Sequence, residues 1–186
     1  MALQNLLAAF GPLAPYIGVW NGNGIDIAPD DSGAPVEAPY VEEMILEPAP
    51  LLSYGGQEVH ALRYQGKYWT SDGQLTPIYE ENGYFLWIEQ ENLVVRQVSN
   101  PRGLSILAVG SPNPDNSFLV RADLGNSHAG LVLTQYLTQF ANVISYESTF
   151  NITAENTICY RDDTVLDMGS KGLFHQTDTA TLTRYS

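Results

Sequence analysis

The sequence predicts an all-β protein: an antiparallel up-and-down β-barrel of about ten strands with a short N-terminal helix. Three observations carry this. Many short segments alternate apolar and polar residues with period two, the signature of strands with one face turned inward. Clusters of Gly, Pro, Asn and Asp separate those segments at hairpin spacing. Helical periodicity is confined to the N-terminus and to one ambiguous stretch late in the chain.

Residues 2–10 are expected to form the short helix. Leu3, Leu6 and Leu7 share one side and Phe10 continues it at helical spacing, while Gly11 and Pro12 stop it. Residues 17–27 form the first strand, with Trp20, Gly22, Gly24 and Asp26 on one face. Two glycines on one face signal either a bend or a bulky group lying against bare backbone. Trp20 is expected to plug one end of the barrel. Residues 29–39 read as a loop rich in Asp, Gly and Pro, followed by a strand over 40–47 in which Glu42 and Glu43 point to opposite faces. One of these two carboxylates enters the barrel, where it needs a partner such as Arg63, Arg96 or Arg184.

Residues 57–69 form the next extended segment. Residues 76–89 carry the densest aromatic pattern: Tyr79, Tyr84, Phe85 and Trp87. Strands are expected over 93–98, 104–109, 118–123, 142–152, 157–166 and 173–184. Residues 131–140 fit a helix and irregular structure equally well. On the last strand, His175, Thr177, Thr179, Thr181 and Thr183 share one face, and Phe174, Gln176, Asp178, Ala180 and Leu182 the other. Neither face is plainly apolar, so the pattern does not say which looks inward.

A chain of 186 residues is expected to form a single barrel domain over residues 1–186. Its net charge of −13 would repel polyanions, which argues against nucleic acid and against anionic membrane surfaces. No apolar run reaches the length of a bilayer span, so no membrane insertion is expected. The apolar N-terminus lacks the basic start of a signal peptide, and the one cysteine, Cys159, forms no intrachain disulfide. Both fit a cytoplasmic protein. Either a monomer or a homodimer is compatible with a closed barrel.

The usual catalytic signatures are missing. There is no Gly-x-Ser-x-Gly turn, no phosphate-binding loop and no His-Glu-x-x-His, and the three histidines are scattered. Hydrolase and kinase readings have no support, and no catalytic residue is assigned. As a haem ligand, His175 would have to face a cavity with a partner on its second ring nitrogen.

Several stretches together resemble the nitrobindin family, barrels similar to fatty-acid-binding proteins and of calycin type, with haem-binding members. They are Gly18-x-Trp20-x-Gly22-x-Gly24; Tyr40-x-Glu42-Glu43; Leu62-Arg63-Tyr64 with Tyr68-Trp69; Pro77-x-Tyr79-x-Glu81-x-Gly83-Tyr84; and Thr181-Leu182-Thr183-Arg184 with a histidine upstream. The resemblance implies a barrel with an internal cavity. For haem-binding members it implies a closing-strand histidine on ferric haem b and chemistry on nitric oxide or peroxynitrite. Carried over, His175 is the candidate iron ligand, and Gly22, Gly24, Arg63, Tyr79, Tyr84, Gln176 and Thr177 are the candidate ligand-binding residues. Two departures stand out. Tyr79 occupies a position where the family commonly has histidine, and a gapless comparison anchored on residues 181–184 puts Gln176 or Thr177, not His175, at the expected ligand position.

The expected function is therefore the binding of a small apolar or amphipathic molecule inside the barrel, with haem b as a candidate cofactor. If haem is bound, peroxynitrite isomerisation is the implied activity. The alternatives are a carrier of a lipid-like molecule without haem, and a filled barrel with a structural or interaction role.

Overall fold

Period-two alternation in the sequence becomes alternating burial in the computed structural model, which describes residues 7–154 and 156–185. In β2 (Pro35–Pro48), Tyr40, Glu42, Met44 and Leu46 are buried while their neighbours are more exposed. The other strands are β1 (Gly18–Pro29), β3 (Leu52–Tyr54), β4 (Gln57–Thr70), β5 (Pro77–Ile88), β6 (Leu93–Ser99), β7 (Leu104–Gly110), β8 (Phe118–Leu124), β9 (Gly130–Leu133), β10 (Asn142–Ala154), β11 (Thr157–Asp167) and β12 (Leu173–Arg184). Pairing of β2 with β4, from Tyr40↔Thr70 to Pro48↔Leu62, closes the sheet. β3 pairs only with β4, so eleven of the twelve strands form the ring. Neighbours are antiparallel except β8 and β9, which run parallel.

The expected barrel is thus present, with two local differences. The hairpin between β1 and β2 is tighter than a loop over 29–39. Both strands run on to Pro29↔Pro35, and Asp30 Oδ1 accepts the backbone N–H groups of Ser32 and Ala34 across the turn. Pro35 and Pro39 are tolerated because β2 pairs with β4 only from Tyr40 onward, leaving that side of the strand free. At the N-terminus, residues 2–6 of the expected 2–10 helix lie outside the described residues. The main described element before β1 is a 3-10 turn beyond the expected helix, Gly11–Tyr16, with Pro12, Leu13 and Tyr16 buried. The ambiguous 131–140 stretch divides into β9 and a short helix, α1 (Gln135–Phe140), whose N-cap Thr134 accepts from the Leu137 N–H. No helix among the described residues is long and apolar enough to cross a membrane.

One end of the barrel is solid. Trp20 is fully buried and donates its indole N–H to the Tyr16 carbonyl at 2.8 Å. The Arg184 guanidinium lies 4.1 Å from the Trp20 ring centroid. Phe85, Phe118 and Phe150 pack against one another in the same buried core, which also holds Leu13, Met44 and Leu62. The opposite strand ends, late in β1, β4 and β11 and early in β2, β5, β10 and β12, surround open space.

Candidate functional site

That space is a cavity of about 410 Å³. Its upper walls are apolar, from Ile78, Leu104, Ile106, Val143 and Leu166, and Leu137 of α1 stands at the rim. Arg102 and Asn100, in the β6–β7 turn, form another part of the rim; the Arg102 guanidinium lies 5.9 Å from the Tyr79 ring centroid. The deeper surface is polar and aromatic: Tyr40, Tyr68, Tyr79 and Tyr146 with Asp26, Glu81, Asp162 and Asp178.

Sheet register builds this polar floor. Asp26 on β1 is the direct partner of Asp178 on β12, and Asp178 is the direct partner of Asp162 on β11. Three carboxyls therefore stand side by side across three strands. Like charges directly opposite each other are unfavourable in a sheet, so each requires compensation. Asp162 obtains it from Arg96, a fully buried side chain that donates to both Asp162 oxygens at 2.9 and 2.7 Å and to Glu81 at 3.1 Å. Ser148 and Tyr146 also donate to Asp162, at 2.5 and 2.7 Å. The rings of Phe150, Tyr64, Phe85 and Tyr146 enclose the guanidinium. Burial by itself would ease a proton off Arg96, but Asp162 and the surrounding acidic groups more than reverse this and hold it firmly charged.

Asp178 and Asp26 have no cation bonded to them among the described residues. Asp178 accepts from the Tyr40 hydroxyl, and Asp26 accepts from the Gln176 amide at 3.0 Å. Burial, reinforced by Asp162, pushes the Asp178 carboxyl up to about 8, against the opposing effect of the Tyr40 hydrogen bond. Burial likewise raises Asp26. Glu42 is fully buried; desolvation drives its carboxyl well above the usual range, and one oxygen accepts from Tyr160 at 2.7 Å. Its second oxygen has no hydrogen-bond partner among the described residues.

The residues singled out in the sequence divide between the two sides of the wall. Tyr79 and Gln176 line the cavity. Gly24 is buried directly under the Tyr40 ring, which occupies the space a Cβ would need, and Gly22 packs against the Thr181 carbonyl and Leu182. The glycines thus accommodate the protein's own groups, not a ligand. Arg63 is on the outer face, in a surface ion pair with Glu47 at 3.4 Å. Tyr84 is also exposed on the outer face, and both border a larger but open groove of about 620 Å³ on the solvent side of β4 and β5. The inner cavity, where the buried charged groups converge, is the candidate site.

Thr177 points outward with His175, because Gln176, Asp178, Ala180 and Leu182 form the inner face of β12. His175 therefore lies on the outer side of the wall and is not among the residues that line the cavity. Its Nδ1 lies 2.9 Å from Asp163 of β11, and its side chain is 63% exposed. Sequence reasoning missed Asp26, Asp162 and Asp178 as a group. The period-two pattern puts Asp178 in phase with Leu182, but only the pairing with β1 and β11 reveals the row.

A family model described as "THAP4-like, heme-binding beta-barrel domain" matches residues 9–184. Among solved structures, Rv2717c from M. tuberculosis is similar over 97% of each chain, with a TM-score of 0.66 and 18% identity. The S-type phycobiliprotein lyase CPES from Guillardia theta is similar over 100% of this chain and 94% of its own, with a TM-score of 0.50 and 7% identity. At those identities the two structures speak to the fold alone. No curated protein sequence matches the chain. The family match spans nearly the whole barrel, from before the 3-10 turn to the end of β12, and the chain belongs to the THAP4-like, heme-binding beta-barrel domain family.

Proposed function

We propose that this barrel binds one small organic molecule in the cavity at its open end, and that it does so without a ligated haem. The observation that carries the reading is the cavity of about 410 Å³ with apolar upper walls and a convergent set of buried polar groups. Ligand pockets have that size range and that mixture of surfaces.

The family's haem is a poor match to the side chains present. A haem iron is usually held by His, Cys, Met or Tyr. Among the residues lining the cavity there is no His, Cys or Met, and Gln176 occupies the inward position beside the outward His175. The tyrosines that line it resist ionisation: burial raises Tyr40, Tyr68, Tyr79 and Tyr146. The floor also carries Asp26, Glu81, Asp162 and Asp178, an unfavourable lining for a group that bears its own carboxylates. No nitric oxide or peroxynitrite step is derived for this chain.

The cavity reading is tested with an uncharged fluorescent probe, N-phenyl-1-naphthylamine. Its emission is expected to rise on binding, and Ile106→Trp, which fills the cavity from β7, is expected to abolish the rise while the far-ultraviolet dichroism stays the same. A probe that gains no emission, or gains it equally in the Trp variant, would sink the reading.

A further inference from the structure

The cavity's charge identifies the chemical class of its occupant. We infer that the cavity takes an organic ammonium, an amine carried on an apolar body, with the nitrogen seated between Asp26 and Asp178 and the body against the walls above; this rests on the cavity being a ligand site.

The interior holds more carboxyls than cations. Five carboxyls face inward or are buried there: Asp26, Glu42, Glu81, Asp162 and Asp178. Arg96 is the one fully buried cation among the described residues, and its Nη1 and Nη2 are already committed to Glu81, Asp162, Tyr146 and Ser148. Arg102 stands at the rim, stacked on Tyr79. Asp26 and Asp178 are left adjacent, each satisfied only by a neutral donor, Gln176 or Tyr40. Of the strands packed around them, β1 offers Asp26, β2 offers Tyr40 and Glu42, and β11 offers Tyr160 and Asp162; the one cation that acts on Asp26 is Arg102 of the β6–β7 turn, which favours its charged form without an ion pair between the two among the described residues. In the same interior one oxygen of the fully buried Glu42 and the Nε of Arg96 also have no hydrogen-bond partner among the described residues. Carboxyls side by side across paired strands oppose one another's ionisation, and burial opposes it further. An incoming N–H-bearing cation offsets both.

The aromatic lining suits the same guest. Tyr40, Tyr68 and Tyr79 follow one another at ring separations of 5.4 and 5.3 Å. Their π faces attract a cation near the cavity wall. A bare metal ion has no use for that surface, and no metal-holding group of His, Cys, Asp and Glu is present among the described residues. The apolar walls of Leu104, Ile106 and Val143 fit an aliphatic or aromatic body, which a small inorganic cation lacks.

The test compares three probes of matched shape by isothermal titration calorimetry: 2-phenylethylamine, 2-phenylethanol and 3-phenylpropanoate. The amine is expected to bind at least about tenfold more tightly than the alcohol, and the carboxylate is expected not to bind. Asp178→Asn and Asp26→Asn, each close in shape to the native residue, are both expected to weaken amine binding about tenfold or more while the alcohol changes little. Binding of the alcohol or the carboxylate as tight as the amine overturns the assignment. So does amine binding that survives both substitutions. If the uncharged naphthylamine enters the cavity but none of the three probes binds, the ammonium assignment falls and the cavity reading stands; exclusion of the naphthylamine as well removes both.

Discussion

Arg96 is the interior residue on which the polar network depends. It sits in the run Leu93-Val94-Val95-Arg96-Gln97-Val98, in phase with Val94 and Val98, both fully or nearly fully buried. Replacing it with Met would leave Glu81 and Asp162 buried without their cation. Breaking a buried pair in this way costs about 3–5 kcal/mol. Arg96→Met is therefore expected to lower the unfolding free energy in urea by that amount, and a change under about 1 kcal/mol would show that the network contributes nothing to the fold. Trp20→Ala is expected to cost about 3–5 kcal/mol as a large truncation in a filled core. These two residues differ in how legible they were. Trp20 follows the Gly18-x-Trp20 start of the first strand, and its burial at one barrel end could be read directly. Arg96 was readable only as one of three possible partners for whichever of Glu42 and Glu43 enters the barrel. Its actual acceptors lie 15 and 66 residues away in the chain, on β5 and β11.

At the level of elements, β12 decides how the interior is read. Its two faces carry similar mixtures of polar residues, so hydropathy alone does not orient it; pairing does. Gly22↔Leu182 and Gly24↔Ala180 lock β12 to β1, and the buried Trp20 face of β1 fixes which side is inside. A slip of one residue reverses every side chain, and this register turns Gln176 inward and His175 outward. The outer His175–Asp163 contact is an exposed pair, worth about 1 kcal/mol or less. His175→Ala is accordingly expected to shift the urea midpoint only slightly; a loss above about 2 kcal/mol would place His175 in a structural role not visible here. Gly24 makes the opposite prediction. A methyl group there meets the Tyr40 ring and forces it toward Asp178 and Tyr160. Gly24→Ala should cost about 1–3 kcal/mol, the range for overpacking a tight site, and unchanged stability would mean the ring moves freely. The strand set and the hairpin order were legible because period two and turn residues are local properties. The cavity was not, because it is made by strand ends that only closure of the sheet brings together.

Over the whole molecule, the buried acids set a pH dependence. The Asp178 carboxyl titrates near 8 in the folded protein, and Asp26 and Glu42 are also raised, all chiefly by burial. Their unfolded counterparts titrate near 4. Between those values the folded state holds more protons than the unfolded chain, so stability is greatest near the lower bound and falls as pH rises through 8. Asp178 alone gives a slope of up to about 1.4 kcal/mol per pH unit in that window. Thermal unfolding should therefore show a lower midpoint at pH 8 than at pH 5, and Asp178→Asn should flatten the difference. A midpoint that rises with pH would mean these carboxyls are ionised in the folded state. The same acid-rich cavity, with no histidine among its lining residues, is the ground for the proposal that this chain holds no ligated haem. A titration of the purified protein with ferric haem, followed in the Soret region, tests that claim most directly. The account predicts no saturable shift from the spectrum of free haem and the same result for His175→Ala; a shifted Soret band that saturates at one haem per chain would contradict it.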